Sequence, residues 1–248
     1  MKPVDNGGGL AVADIGGRPV AGGGRFRRGL LYRVSGALVG PDDLAHLGGL
    51  GLRLLFDLRS GVEDREHLAA WAAQQGIGYR HAPVSLGEPA DVVREANRAA
   101  SSTEAAAEIL RSIYRRILDE HGATLAGVVE AMVDGLPAGF GCAAGKDRTG
   151  VLAALLQATA GVDEAAIVED YRALAPEVER LRGMLRTWLP ETDLSGAGID
   201  TLLGTADETM YDTLDYLAKG WGGAAGYLEA QGLAQERIER LREQLVET

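Results

Sequence analysis

The chain has 248 residues, 46% of them hydrophobic, with 25 Lys and Arg against 36 Asp and Glu and a formal net charge of −11 at pH 7. That length and apolar content suit one α/β unit spanning 1–248, while the acidic balance argues against a nucleic-acid polymer or an anionic membrane surface as partner. No apolar run approaches about eighteen residues and no basic-then-apolar leader opens the chain, so neither membrane insertion nor a signal peptide is expected; the lone cysteine, Cys142, fits a reducing, cytoplasmic setting.

In chain order, residues 1–29 are rich in glycine and arginine, and Gly7-Gly8-Gly9 and Gly22-Gly23-Gly24 read as hairpin turns and mobile tips. A strand is predicted over 30–34, a short helix opening at Pro41, a strand over 52–57, a helix over 62–75 and a strand over 77–84. Helices follow near 103–120 and 124–133. A short buried strand is predicted over 136–140, and beyond it Val151, Leu152, Leu155 and Leu156 repeat at helical spacing. From 163 to 248 the chain reads as mainly helical, over 164–174, 177–188, 206–219 and 233–246. The last of these carries the apolar stripe Ala234, Ile238, Leu241 and Leu245, expected to pack on the core. Strands alternating with helices predict an α/β fold with a central, mostly parallel sheet flanked by helices and a helix-rich C-terminal half. Segments 86–102 and 190–205 are small and polar; they read either as surface connections or as a helical lid.

Between the strand over 136–140 and the next helix lies Cys142-Ala143-Ala144-Gly145-Lys146-Asp147-Arg148-Thr149-Gly150 (residues 142–150). A thiolate at the mouth of a helix, facing a turn of N–H groups and a guanidinium, suits attack on a phosphate ester. Ala143, Ala144, Gly145, Lys146, Asp147 and Arg148 would cradle the phosphate, Gly145 letting the backbone turn closely. Arg148 offers a planar fork for two oxygens, which lysine does not. Thr149 can donate its hydroxyl to the sulfur, as ionised nucleophile and later as leaving group. A nucleotide-binding loop is excluded: Gly141 and Gly145 stand one residue too close, and Asp147 occupies the place of its Ser or Thr. The histidines His46, His67, His81 and His121 show no ligand spacing, so no metal and no cofactor is expected.

At these residues the chain resembles the protein tyrosine phosphatase superfamily, and most of all its bacterial branch of atypical tyrosine/dual-specificity phosphatases, whose loop reads His-Cys-x-x-Gly-Lys-Asp-Arg-Thr-Gly. The resemblance extends to Ala13-Asp14-Ile15-Gly16-Gly17, to Leu31-Tyr32-Arg33-Val34-Ser35-Gly36, to Gly51-Leu52-Arg53 with Phe56-Asp57-Leu58-Arg59-Ser60, to the stretch from Ile167 to Tyr171, and to Gly226-Tyr227-Leu228. It implies one family fold along most of the chain and a metal-independent phosphomonoesterase working through a phosphocysteine on Cys142. One departure stands out: Gly141 precedes the cysteine where the family has histidine, a residue held to keep the thiol acidic.

The reaction also needs a group to protonate the departing oxygen and later to activate water. Asp147 resembles the family's loop aspartate. Asp57 ends a predicted parallel strand on the edge where open α/β sheets bind ligands, or else it simply accepts hydrogen bonds from Arg59. Arg33 and Arg59, also at strand ends, read equally as structural or as substrate-binding. Lys146 beside Asp147 resembles phosphoinositide-capable members and would reach a second phosphate. The substrate thus stays open among a phosphoprotein, a lipid headgroup and a small sugar or nucleoside phosphate, with a catalytically weak phospho-ligand binding module as the non-enzymatic alternative. The oligomeric state is open as well.

Overall fold

The protein is described from a computed structural model that covers residues 11–36, 39–60, 65–87, 94–95, 97–99, 101–173, 182–183, 186 and 195–248. Its strands are β1 (Val12–Asp14), β2 (Arg25–Phe26), β3 (Leu31–Ser35), β4 (Leu54–Asp57), β5 (Gly78–His81), β6 (Ala138–Cys142) and β7 (Val246–Glu247). Its helices are α1 (Pro41–Gly49), α2 (Glu66–Gln74), α3 (Thr103–Gly135), α4 (Asp147–Thr159), α5 (Glu164–Arg172), α6 (Ala197–Leu203), α7 (Asp207–Trp221), α8 (Ala224–Ala230) and α9 (Gln235–Leu245).

The central sheet runs β1-β3-β6-β4-β5, while β2 and β7 pair separately. Within the central sheet only β1 is antiparallel to its neighbour; β6 lies parallel between β3, from Leu31↔Ala138 to Ser35↔Cys142, and β4, from Leu54↔Ala138 to Asp57↔Gly141. Three parallel strands therefore end together at Ser35, Asp57 and Cys142, on the edge where such sheets place their ligands. Every residue of β6 is buried, and two of its positions are held to glycine by crowding. A Cβ on Gly139 would lie 2.9 Å from Leu55 Cδ1, and one on Gly141 would overlap the Val34 carbonyl oxygen.

Helices cover both faces. On one, Leu44 and Leu47 of α1 with Leu68 and Ala72 of α2 pack on Val34 and Leu55. On the other, α4 is buried almost all round, enclosed by apolar residues of α3, α5, α7, α8 and α9. Each Leu, Ile or Val withdrawn from water here contributes about 1.5 to 3 kcal/mol, and this larger core fixes the direction of α4 and so of the loop before it.

The predicted helices at 103–120 and 124–133 form one segment, α3, capped by Ser102, whose hydroxyl accepts the Ala105 N–H at 3.1 Å. The break between them survives only as a kink at His121, where φ is −119° and ψ is 16°. The last helix buries Ile238, Leu241 and Leu245, but Ala234 is exposed and Leu233 takes its place inside. Within 190–205, which reads either as a surface connection or as a helical lid, α6 forms; Ile199 and Leu203 supply it with an apolar face. The helix expected over 177–188 lies outside the described residues except at 182, 183 and 186. Gly22, Gly23 and Gly24 turn with φ between 87° and 104°. Among the described residues no helix is long and apolar enough to cross a membrane.

Candidate active site

β6 delivers Cys142 as its last residue and α4 begins at Asp147, so Ala143 to Lys146 make the turn between them. The end of β3 braces this turn. The Gly36 N–H donates to the Cys142 carbonyl at 2.7 Å and the Ser35 hydroxyl to the Ala144 carbonyl at 3.0 Å. Gly145 has φ +69°, and a Cβ there would stand 2.5 Å from Ser35 Oγ, so both the backbone and the neighbour require glycine. The backbone N–H groups of Ala143 through Lys146 donate to no other described residue although all four residues are buried. Unspent donors beside a helix N-terminus, where the aligned peptides place about half a positive charge, are suited to an anion.

Cys142 carries a free thiol and is 2% exposed. Arg148, in the first turn of α4, is buried, and its Nη1 donates to the carbonyls of Leu58 and Val84 at 3.5 Å each. The Thr149 hydroxyl is buried and makes no hydrogen bond with any described residue, the cysteine included.

Lys146 is buried. Its ammonium donates to the carbonyls of Leu202 at 2.7 Å and Gly204 at 3.2 Å and pairs with Asp147 Oδ1 at 3.1 Å. Those carbonyls end α6, where a cation is favoured. Ile199 and Leu203 of that helix pack with Ala99, Ala106 and Ile109 around Ala144, so α6 lies against the loop.

Asp147 has a side chain 20% exposed. Its Oδ1 also accepts the Tyr114 hydroxyl at 3.1 Å, and Tyr114 lies 2.7 Å, oxygen to oxygen, from the Tyr171 hydroxyl. Burial first, then the negative charge of Asp147, pushes both tyrosines up, Tyr114 well above the ordinary tyrosine range. Both hydroxyls therefore stay protonated and able to donate.

Asp57, 1% exposed, ends β4 bound to Arg59. Its Oδ1 accepts the Arg59 backbone N–H at 3.0 Å and Nε at 2.9 Å; its Oδ2 accepts Nη2 at 2.5 Å and the Tyr79 hydroxyl at 2.8 Å. Burial works to raise its pKa, but these hydrogen bonds and the Arg59 charge together hold it below the usual carboxylate value. The Arg59 guanidinium lies over Gly36, whose Cβ would sit 3.2 Å from its Cζ and 3.0 Å from the Cys142 carbonyl oxygen. Asp57 and Arg59 thus stand as one unit behind the turn. Arg33 stands apart: it pairs with Asp170 Oδ2 at 3.1 Å, a carboxylate that also accepts from Arg18 and Gln157.

The structure therefore brings Cys142, Ala143, Ala144, Gly145, Lys146, Asp147, Arg148 and Thr149 into one turn, sets Asp57 and Arg59 beside it and directs Arg33 elsewhere. Ser35, Tyr79, Tyr114 and Tyr171 went unnoticed in the sequence. Ser35 and Tyr171 fall inside stretches that carried the resemblance; Tyr79 and Tyr114 read as ordinary strand and core aromatics, with no signal to mark them. Among the described residues no group of three or more His, Cys, Asp or Glu side chains is arranged to hold a metal ion.

A turn built this way suits a tetrahedral oxyanion, and the chain's class is that of the phosphoric monoester hydrolases. The chain is a member of the tyrosine phosphatase family, whose profile matches residues 9–247. It is 31% identical over 217 residues to a protein of Cupriavidus necator that bears the provisional name of tyrosine-protein phosphatase, across 87% of this chain and 78% of that one. It is 29% identical over 155 residues to the triple specificity protein phosphatase PtpB of Mycobacterium tuberculosis, across 57% of this chain and 56% of that protein. Among solved structures, the Siw14 catalytic core is similar at 16% identity and a TM-score of 0.39, over 66% of this chain and 81% of that one.

Proposed function

We propose that this phosphatase works through a phosphocysteine on Cys142 and that phosphotyrosine in proteins is its first class of substrate. The observation that carries the mechanism is the run of unspent, buried N–H groups between Cys142 and Arg148 at the start of α4. In the first step the sulfur forms a bond to phosphorus while the bond to the leaving oxygen breaks. The loop amides and the Arg148 fork hold the charge on the three equatorial oxygens, and Asp147 gives its proton to the leaving oxygen. In the second step water forms the new bond to phosphorus, the phosphorus–sulfur bond breaks, and Asp147 takes back a proton. Thr149, whose buried hydroxyl is hydrogen-bonded to no described residue, would donate to the sulfur as it becomes the leaving group.

Asp147 is preferred over Asp57 as the acid because it is the more exposed and keeps an oxygen to which no described residue donates. Asp57 is committed to Arg59 and Tyr79 and held in its charged form. Substrate preference follows from two further facts. Cys142 is almost wholly buried, and a phosphate at the end of a long aryl side chain suits a buried nucleophile better than one on serine or threonine. The Lys146 ammonium donates to the Leu202 and Gly204 carbonyls and pairs with Asp147 at 3.1 Å, which ties it down beside the loop and favours monophosphorylated substrates over phosphoinositides. The same depth favours, as second reading, a small soluble phosphate ester. The name of the mycobacterial relative supports a broader protein specificity.

The test combines a substrate panel with trapping of the intermediate. Wild type is expected to release phosphate from phosphotyrosine peptides and to leave an acid-quenched phosphoenzyme. Cys142→Ser should fold and do neither, since a serine hydroxyl is far less ionised than a thiol. Substantial turnover by purified Cys142→Ser would end the mechanism; turnover of sugar or nucleoside phosphates alone would transfer the assignment to the second reading.

A further inference from the structure

The carboxyl of Asp147 is not symmetric. Tyr114 donates to Oδ1 at 3.1 Å, the Lys146 ammonium faces the same oxygen at 3.1 Å, and no described residue donates to Oδ2. A hydroxyl that donates to a carboxylate oxygen must itself be satisfied from behind, and Tyr171 stands 2.7 Å away to do so. The order of donation is thereby fixed: Tyr171 to Tyr114, Tyr114 to Asp147. Both rings are buried in the core and meet edge to face, with centroids 6.2 Å apart and planes at 81°, so neither hydroxyl swings freely. Tyr114 comes from the middle of α3 and Tyr171 from the end of α5. Two elements remote in sequence thus converge on the first residue of α4.

We infer that Tyr114, backed by Tyr171, is a positioning residue that anchors Asp147 by Oδ1 so that the proton passed to the leaving group is carried on Oδ2. The inference rests on the reading of Asp147 as the general acid. An oxygen that already receives the phenol hydrogen and faces the Lys146 ammonium is the less basic of the two, so protonation falls on the other oxygen. Anchoring also keeps the carboxyl from rotating its proton away from the substrate, and a general acid within hydrogen-bond reach is worth about a hundredfold or more in rate. Burial and the neighbouring carboxylate hold both phenols protonated, which keeps the chain of donors intact at neutral pH.

Phenylalanine preserves the ring and removes only the hydroxyl, so Tyr114→Phe, Tyr171→Phe and Asp147→Asn are compared in the full chain on two esters. p-Nitrophenyl phosphate has an acidic leaving group that departs unaided; phenyl phosphate has one that needs the proton. Because kcat/KM reports steps up to the first irreversible one, it isolates transfer to sulfur. Asp147→Asn is expected to lose about a hundredfold on phenyl phosphate and only a few-fold on the nitrophenyl ester. Tyr114→Phe should show the same pattern at about tenfold against less than threefold, and Tyr171→Phe a weaker version of it. The double variant Tyr114→Phe with Asp147→Asn should be no worse than Asp147→Asn alone.

Equal losses on the two esters for Tyr114→Phe, or losses that multiply in the double variant, would make Tyr114 a packing residue and overturn the inference while leaving Asp147 as the acid. An Asp147→Asn protein without leaving-group dependence would remove the reading beneath it. If Tyr114→Phe does not fold, Tyr171→Phe decides by the same comparison: selective loss on phenyl phosphate supports the inference, equal loss overturns it.

Discussion

At the end of β4 and at the start of α4 the molecule assembles the same three kinds of group, an aspartate, a tyrosine hydroxyl and a cation, with different results. Asp57 is almost wholly buried; Arg59 and Tyr79 occupy both of its oxygens, and Arg59 doubles back through its own backbone N–H. Asp147 meets Tyr114 and Lys146 on one oxygen and keeps the other clear. The first arrangement is saturated and serves as a brace, with the Arg59 guanidinium lying over Gly36 where that residue holds the cysteine carbonyl. The second is anchored on one side only, which is what a group that must give up and recover a proton requires. If Asp147 is the acid proposed above, what separates it from the brace is whether an oxygen is left over, not the identity of the neighbours.

Substituting each aspartate by its amide should break this comparison in opposite places. Asp57→Asn takes the carboxylate from beside a buried guanidinium, and breaking such a buried pair costs about 3 kcal/mol or more. A fall of that size in urea unfolding is expected, with Tm lowered and the folded fraction still able to turn over p-nitrophenyl phosphate. Asp147→Asn should be the reverse: a smaller loss of stability, because the amide oxygen can still accept the Tyr114 hydroxyl and Lys146 keeps the Leu202 and Gly204 carbonyls, and a loss of about 2.7 kcal/mol of transition-state stabilisation on phenyl phosphate. If Asp57→Asn unfolds no more easily than Asp147→Asn, the brace is not one.

Much of this was legible in the sequence, and the residues that were not share a reason. The loop from Cys142 to Gly150 announces itself because its chemistry depends on residues close in sequence. The strand and helix on either side follow from periodicity, and the parallel sheet follows from their alternation. Asp57 stood out as a strand end, but its commitment to Tyr79 depends on the β4–β5 register, which periodicity does not specify. Tyr114 is hidden more completely. Its spacing in α3 is that of any buried residue on an amphipathic helix, and its partners Asp147 and Tyr171 lie 33 and 57 residues away. Gly141 was noticed for a chemical reason, the absence of a histidine before the cysteine. The structure gives it a steric one: any Cβ would run into the Val34 carbonyl, because β3 and β6 approach too closely at that register. Replacing Gly141 by histidine would therefore disturb the sheet before it could inform on the thiol. The bounds of α6 were hidden because the segment around it is rich in small and polar residues and read equally as a surface connection or a helical lid; its contacts with Ala99, Ala106, Ile109, Ala144 and Lys146 give it a surface to form on.

The smallest expected effect sharpens the comparison through pH. Burial disfavours the charge on Asp57, yet the Arg59 side chain and backbone, the Arg59 charge and the Tyr79 hydroxyl outweigh it, so the folded protein holds this carboxyl below its ordinary value. In the unfolded chain an aspartate titrates near about 3.9. A group whose pKa is lower in the folded state stabilises the fold fully above the unfolded value, and that contribution disappears as pH falls through the folded one. Asparagine at the same position has no proton to exchange. The difference in unfolding free energy between wild type and Asp57→Asn should therefore be level from about pH 7 to about pH 5 and shrink as pH drops below about 4. Urea denaturation of both proteins at a series of pH values reads this directly, and the subtraction removes the titration of every other carboxylate. A difference that stayed level far into acid would mean that Arg59 and Tyr79 bind the amide as well as the carboxylate. A difference that grew on acidification would require a folded-state pKa above the unfolded one, the opposite of what a saturated, arginine-bound carboxylate should have.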